Sequence, residues 1–232
     1  MLWYLSTNKM TIQPGNSLLS VAIQAGGKSL RMGQDKASLV FCGKPLVQWV
    51  FERAHAVADE ILVIANEPEK YPFLDCSIYT DEIPGSGPLG GLYTALLHAR
   101  YSSVGVLACD MPFANPDLLA FEQNLLLSAS VDVVIPQTGK GLEPFHAIYR
   151  RETCLPLVRA ALQNGETRVV DWLRNARVAY LQPRDVQLFD PYQMAFHNLN
   201  TPEQVLMAER IFMETEAWSL PMTINFHQDL TR

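Results

Sequence analysis

Leu18-Leu19-Ser20-Val21-Ala22-Ile23 runs into Ala25-Gly26-Gly27-Lys28-Ser29-Leu30-Arg31-Met32-Gly33-Gln34-Asp35-Lys36, and this junction decides how the chain is read. The first run is short and almost wholly apolar, as a strand buried on both faces of a parallel sheet should be. It ends in Gly26-Gly27, where missing Cβ atoms allow positive φ and close approach of backbone to a ligand. Consecutive N–H groups in such a turn can point at an anion. Lys28, Arg31 and Lys36 set cations beside those dipoles, Arg as a fork of donors and Lys as a movable point charge. The junction therefore predicts a phosphate cradle after the first strand of an α/β sheet. The plainer alternative is a glycine-rich turn carrying solvated basic residues.

Two common phosphate patterns do not fit. A Walker A loop has Gly, four residues, then Gly-Lys-Ser or Gly-Lys-Thr. Gly27-Lys28-Ser29 supplies the second half, but Ala22 stands where the first glycine belongs. Gly-x-Gly-x-x-Gly is absent from the junction, which argues against a standard dinucleotide fold.

The 232 residues suffice for one large α/β domain, and 48% apolar with 18% charged residues describes a chain with a substantial core. A net charge of −6 disfavours a nucleic-acid binder, which is more often basic. A small anionic substrate needs only local positive charge, which the first loop has. Cys42, Cys76, Cys109 and Cys154 form no Cys-x-x-Cys pair, so neither a zinc knuckle nor a redox motif is expected. Reduced thiols in a cytoplasmic protein are the simple reading. No apolar run approaches the roughly 20 residues of a membrane span. The first residues are too short and polar for a secretory signal, and Met10 is a second candidate start.

Beyond the loop, residues 37–41 read as a brief extended piece, and Pro45 opens a helix in which Leu46, Val47, Val50, Phe51, Ala54 and Val57 recur at helical spacing. Residues 61–65 form a buried strand ending at Asn66, and 76–80 a weaker one ending at Asp81. Residues 84–91 read as a second glycine-rich turn, with a helix following at 92–99. The strand at 104–108 opens onto Cys109-Asp110-Met111-Pro112, and Asn115 caps a helix with Pro116 at its first position. Strands follow at 131–135 and 144–149, helices at 153–162 and 167–173, and an edge strand at 177–181. Thr201 caps a last helix begun by Pro202.

This alternation predicts a doubly wound, mostly parallel sheet in a single α/β domain. The domain is placed at residues 17–212, with 1–16 a loose extension and 213–232 a tail that no pattern places. Ligands of such sheets sit beyond the strands' carboxyl ends. The first loop, Asn66, Asp81 and Asp110 all fall there.

Ala25-Gly26-Gly27-x-Ser29-x-Arg31-Met32-Gly33-x-Asp35-Lys36 resembles the signature loop of the molybdenum cofactor guanylyltransferases, nucleotidyltransferases built on a Rossmann-like domain. The resemblance runs from about residue 21 to residue 207. Related cytidylyltransferases of the same cofactor more often have Ala-Ala-Gly at the Gly26-Gly27 position. Gln24 is a departure, since the family usually has Leu there. The resemblance implies that Ala25, Gly26, Gly27 and Ser29 wrap the nucleotide triphosphate while Lys36 contacts its phosphates, and the place of Arg31 in the same glycine-rich loop makes it a second phosphate-binding cation. Asp110 corresponds to the family's metal-binding aspartate and implies Mg²⁺. Asp81 with Gly87-Pro88-Leu89-x-Gly91 corresponds to the guanine-nucleotide region, and Asn66 more loosely to a nucleotide-side asparagine. Asn198-x-Asn200-Thr201-Pro202 corresponds to a segment near metal or second substrate, and Arg168 is a candidate for that substrate's phosphate.

Each residue also has a plain structural reading. Asp110 can shape the turn before Pro112, Asn198 and Asn200 can serve turn and cap chemistry, and Arg168 can solvate a helix end. His146 and His197 read as packed or surface residues rather than bases, and Cys109 as a small buried side chain. The implied activity is transfer of GMP from GTP to the terminal phosphate of molybdopterin-bound molybdenum, with release of pyrophosphate. GTP and the molybdenum cofactor are then the partners, beside cofactor-biosynthesis proteins and client molybdoenzymes that the sequence does not name. The alternatives are cytidylyl transfer to the same cofactor, nucleotidyl transfer to a sugar phosphate, and a non-catalytic nucleotide- or cofactor-binding protein.

Overall fold

Every residue of the first strand, β1 (Leu19–Gln24), is buried, as its unbroken apolar run requires. A computed structural model of the chain describes residues 17–26 and 36–214. Lys36–Ser38 forms a single 3₁₀ turn, so of the extended piece expected at 37–41 only Val40–Phe41 is a strand. Two short strands, β2 (Val40–Phe41) and β3 (Lys44–Pro45), then pair antiparallel across Cys42-Gly43, both at positive φ. Helix α1 (Leu46–His55), strand β4 (Glu60–Ile64) and strand β5 (Ser77–Tyr79) follow.

Helix α2 (Gly87–His98) starts five residues earlier than its apolar periodicity suggests. Gly87 through Gly91 are helical and not a turn, and Pro88 occupies the first turn, where its missing N–H costs nothing. Strand β6 (Ser103–Ala108) leads to α3 (Pro116–Ser128), where Asn115 accepts from the Leu118 N–H at 3.0 Å, the expected cap. Strand β7 (Val133–Thr138) pairs with the two-residue β8 (Gly141–Leu142) and precedes β9 (His146–Arg150). Helix α4 (Arg151–Gln163), a 3₁₀ turn at Asp171–Asn175, strand β10 (Val178–Leu181), the short α5 (Pro183–Val186) and α6 (Pro202–Glu214) complete the order. The helix expected at 167–173 is thus only that later 3₁₀ turn.

The main sheet runs β10-β7-β9-β6-β1-β4-β5. All neighbours on this path pair parallel except β9, which runs antiparallel to both β6 and β7. The link from β7 is too short to carry the chain back to the opposite edge, as a parallel crossover must. β9 therefore starts at the edge where its parallel neighbours end, with His146 opposite Leu107.

Alternation along the strands divides the core into two layers. Val21, Ile23, Val63 and Leu107 face α1 and α3. Ala22, Ile64, Val106 and Tyr149 face α2 and α4. A third, smaller cluster joins Phe41, Leu46, Phe113, Leu199 and Val205, so that α6 closes over the short β2–β3 ladder. No disulfide joins the four cysteines. No helix among the described residues is long and apolar enough to cross a membrane.

Candidate active site

The order β6-β1-β4 makes β1 the point from which the chain winds both ways, and such a switch point opens a crevice at the strands' carboxyl ends. Ala25 leaves β1 there, with its N–H donating to the Ile64 carbonyl at 2.9 Å. Lys36 stands at the same edge, beside Asp110. Its ammonium donates to Asn200 Oδ1 and lies 3.8 Å from Asp110 Oδ2.

Asp110 follows β6 and is 8% exposed. Asn198 Nδ2 donates to its Oδ1 at 2.8 Å, and the Leu199 N–H donates to its main-chain carbonyl at 2.9 Å. Burial pushes its carboxyl pKa up, while the Asn198 amide and the Lys36 ammonium pull it down. Asn200 is held in turn. Its N–H and that of Thr201 donate to Gln204 Oε1 at 2.7 and 3.2 Å, and the Gln204 N–H returns a bond to Thr201 Oγ1 at 3.2 Å. This is a capping box at the start of α6. One device thus starts the helix and sets the Asn200 amide that meets Lys36. Lys36, Asp110, Asn198 and Asn200 form one cluster, although Asn198 and Asn200 lie in an irregular segment and not on a strand.

A second cluster lies on the α2 side of the same crest. The Asn66 amide bonds the Asp81 carboxylate, whose pKa burial raises and that bond lowers. A Cβ on Gly26 would stand 3.5 Å from Asn66 Nδ2. Gln24 is 8% exposed, and its amide fills the space left by Gly91, where a Cβ would come within 2.7 Å of Oε1. Its Nε2 has no hydrogen-bond partner among the described residues. Gly87 begins α2 at φ 61°, a conformation that suits glycine.

Arg168 is exposed and lies 3.6 Å from Asp171, a residue of neither cluster. Because α4 starts beside Ser102 at the opposite edge, it returns the chain to the crest, and Arg168 follows it. Gly27, Ser29 and Arg31 lie outside the described residues. His197 is exposed and His146 fully buried, in line with their reading as surface and packed residues. No three His, Cys, Asp or Glu side chains are grouped to hold a metal among the described residues.

Residues 21–178 match the family model of the MobA-like NTP transferase domain. The chain belongs to this family. It is a nucleotidyltransferase, and the mixed, mostly parallel sheet is the family's. A molybdenum cofactor guanylyltransferase of Syntrophotalea carbinolica is 35% identical over 184 residues, 79% of this chain and 87% of the relative. The crystal structure of molybdopterin-guanine dinucleotide biosynthesis protein A from Archaeoglobus fulgidus is 26% identical, with a TM-score of 0.74 over 84% of this chain and all of that one (100%). A 2-C-methyl-D-erythritol 4-phosphate cytidylyltransferase from Thermus thermophilus shares the fold at 16% identity and a TM-score of 0.58, covering 83% of this chain and 98% of that one.

Sequence reasoning missed Gln204, although Thr201-x-x-Gln204 is a legible capping box. It also missed the buried Glu122, which no motif marks.

Proposed function

We propose that this nucleotidyltransferase moves GMP from GTP onto the terminal phosphate of molybdopterin-bound molybdenum cofactor. The carrying observation is the Lys36–Asp110–Asn200 cluster beyond the carboxyl end of β6, the neighbour of β1 at the switch point. It supports a triphosphate site in which a cation and a carboxylate meet the same phosphates.

A terminal phosphate oxygen of the cofactor attacks the α-phosphorus of GTP. The bond from that phosphorus to the bridging oxygen breaks, and pyrophosphate leaves with the electron pair. The attacking phosphate is already anionic, so no base is required. Lys36 and Arg31 offset charge that shifts toward the leaving group, and the fixed orientation of the two phosphates supplies the rest. Ala25, Gly26, Gly27 and Ser29 hold the triphosphate with backbone and hydroxyl donors.

The donor set fits Mg²⁺. Asp110 offers a carboxylate and Asn198 or Asn200 an amide oxygen, and Mg²⁺ usually takes few protein ligands, keeping phosphate oxygens and water. When bound there, the ion supplies charge stabilisation at the phosphates. Asn66 and Asp81 with Gly87 and Gly91 line the nucleobase side, where a carboxylate or main-chain carbonyl can accept from guanine N1–H and its 2-amino group. Arg168, Asn198 and Asn200 serve the cofactor's phosphate.

The test is to incubate the protein with Mg²⁺, molybdenum cofactor and, separately, GTP, CTP or ATP, and to identify the dinucleotide by mass. The guanine dinucleotide with pyrophosphate is expected. Equal or better turnover with CTP would transfer the assignment to cytidylyl transfer, and nucleotide binding without pyrophosphate release would leave a binding protein.

A further inference from the structure

Beneath the Asp110 loop lies a buried polar pair that the reaction above does not use. His146 and Glu122 are each 0% exposed, and His146 Nδ1 donates to Glu122 Oε1 at 3.1 Å. With Nδ1 carrying the proton, Nε2 is an acceptor. It takes the Asn115 N–H at 3.2 Å. The same ring packs edge to face with Phe196, with centroids 5.3 Å apart and planes at 79°.

Those two contacts lead to the two halves of the catalytic cluster. Asn115 closes the loop that Asp110 opens, a loop tied internally by Met111 N–H to Ala108 and Ala114 N–H to Met111. Asn115 also caps α3 and donates Nδ2 to the Phe189 carbonyl at 2.9 Å. Phe196 stands two residues before Asn198, the amide that holds the Asp110 carboxylate. One imidazole therefore touches the segment that carries Asp110 and the segment that carries Asn198 and Asn200.

Packing alone does not call for such a pair. The neighbouring positions on α3 and β9 that face this layer are Leu118, Leu119, Leu125 and Ile148. Apolar residues of similar volume would fill the space at lower desolvation cost, since a buried ionisable pair is often neutral or unfavourable for stability. Glu122 Oε2 has no partner among the described residues, which adds to that cost. What an apolar residue cannot supply is an acceptor for the Asn115 N–H. Glu122 makes the acceptor dependable by holding the proton on Nδ1.

We propose that His146 is a positioning residue for nucleotidyl transfer, setting the distance between the Asp110 loop and the Asn198–Asn200 segment through Asn115 and Phe196. This rests on the reading of Asp110 as the Mg²⁺ carboxylate of a guanylyltransferase.

Two substitutions divide the ring's functions. His146→Gln carries an acceptor out to where Nε2 stands and gives up the contact with Glu122. His146→Asn keeps a donor toward Glu122 but is too short to reach the Asn115 N–H. GMP transfer is measured against GTP concentration and, at saturating GTP, against Mg²⁺ concentration, with melting temperature and amide hydrogen exchange at Asn115. His146→Gln should stay within about threefold of the parent, while His146→Asn should lower kcat about tenfold and raise the Mg²⁺ needed for half activity, with KM for GTP unchanged; misplacement well below 1 Å suffices for a loss of that size. Equal activity of the two variants per folded molecule, or losses that follow melting temperature alone, would overturn the proposal. If either variant fails to fold, Phe196→Leu is the second probe. It should raise the Mg²⁺ requirement at unchanged KM for GTP, and an unaltered Mg²⁺ curve counts against the proposal. A parent protein that makes no guanine dinucleotide refutes the assigned reaction instead. Hydrogen exchange then still decides the bond: Asn115 N–H should be as protected as the amides within α3, and exchange at an open-loop rate would remove it.

Discussion

At the scale of single residues, the site balances a buried carboxylate against one ammonium and one amide. Asp110→Asn keeps the size and removes the charge. It should lower kcat about a hundredfold or more, because a charge that acts mainly in the transition state is lost. KM for GTP should change far less, and Mg²⁺ titration of turnover beside a melting curve checks both. A turn residue would behave oppositely, losing stability at normal activity per folded molecule. Glu122 gives a second prediction. Burial pushes its carboxyl up to about 7, against the pull of His146. A group raised in this way contributes stability at pH below its ordinary carboxylate value and loses it as pH climbs through about 7, because the folded state then holds an unwelcome charge. Glu122→Gln has no proton to lose. Its melting temperature should gain on the parent's between about pH 5 and about pH 8, and a constant difference over that range would refute the shift.

At the scale of elements, the ends of helices carry more of the site than their middles. The start of α2 rests on Gln24 because Gly91 has no side chain. In Gly91→Ala the new Cβ meets the Gln24 amide at 2.7 Å. The Gln24 amide must turn aside, at a cost of about 1 kcal/mol, the low end for overpacking. Pairing Gly91→Ala with Gln24→Ala should recover most of that loss, and a thermal-denaturation double-mutant cycle measures the coupling. The start of α6 is set by Thr201 and Gln204, which also fix Asn200. Thr201→Ala should cost about 1 kcal/mol of stability. Its larger signature should be weaker transfer activity, since Asn200 Oδ1 accepts from Lys36.

At the scale of the whole molecule, the site is a seam closed by aromatic packing. Phe41 contacts Trp49, Phe113 and Phe212 edge to face, with centroids 5.5 to 5.7 Å apart. The cluster ties the short β2–β3 ladder, α1, the loop after Asp110 and α6 into one unit. A ligand that bridges this seam stabilises the whole fold. GTP with Mg²⁺ at about a hundredfold over its Kd should add roughly 2.7 kcal/mol to unfolding stability. Lys36→Ala should reduce that gain at the same concentrations, and thermal shift with and without nucleotide reads it directly.

Short-range chemistry determined much of this from the sequence alone. Apolar runs of strand length, Asn115-Pro116 and Thr201-Pro202 each specify a local state through sterics and caps. The order of strands and turns places Asn66, Asp81 and Asp110 on one edge, and the resemblance in the first loop pointed to the family. The tertiary structure alone decided what depends on which surfaces meet. The direction of β9 follows from a short link, not from its own residues, whose alternation suits either direction. Gly87 through Gly91 resemble a turn by composition, yet they form the first turn of α2, and Gly91 there leaves room for the Gln24 amide. Lys36 meets Asn200 across 164 residues, and Asp110 meets Asn198 across 88. No local pattern encodes a contact of that separation, because the two partners meet only once the sheet has closed.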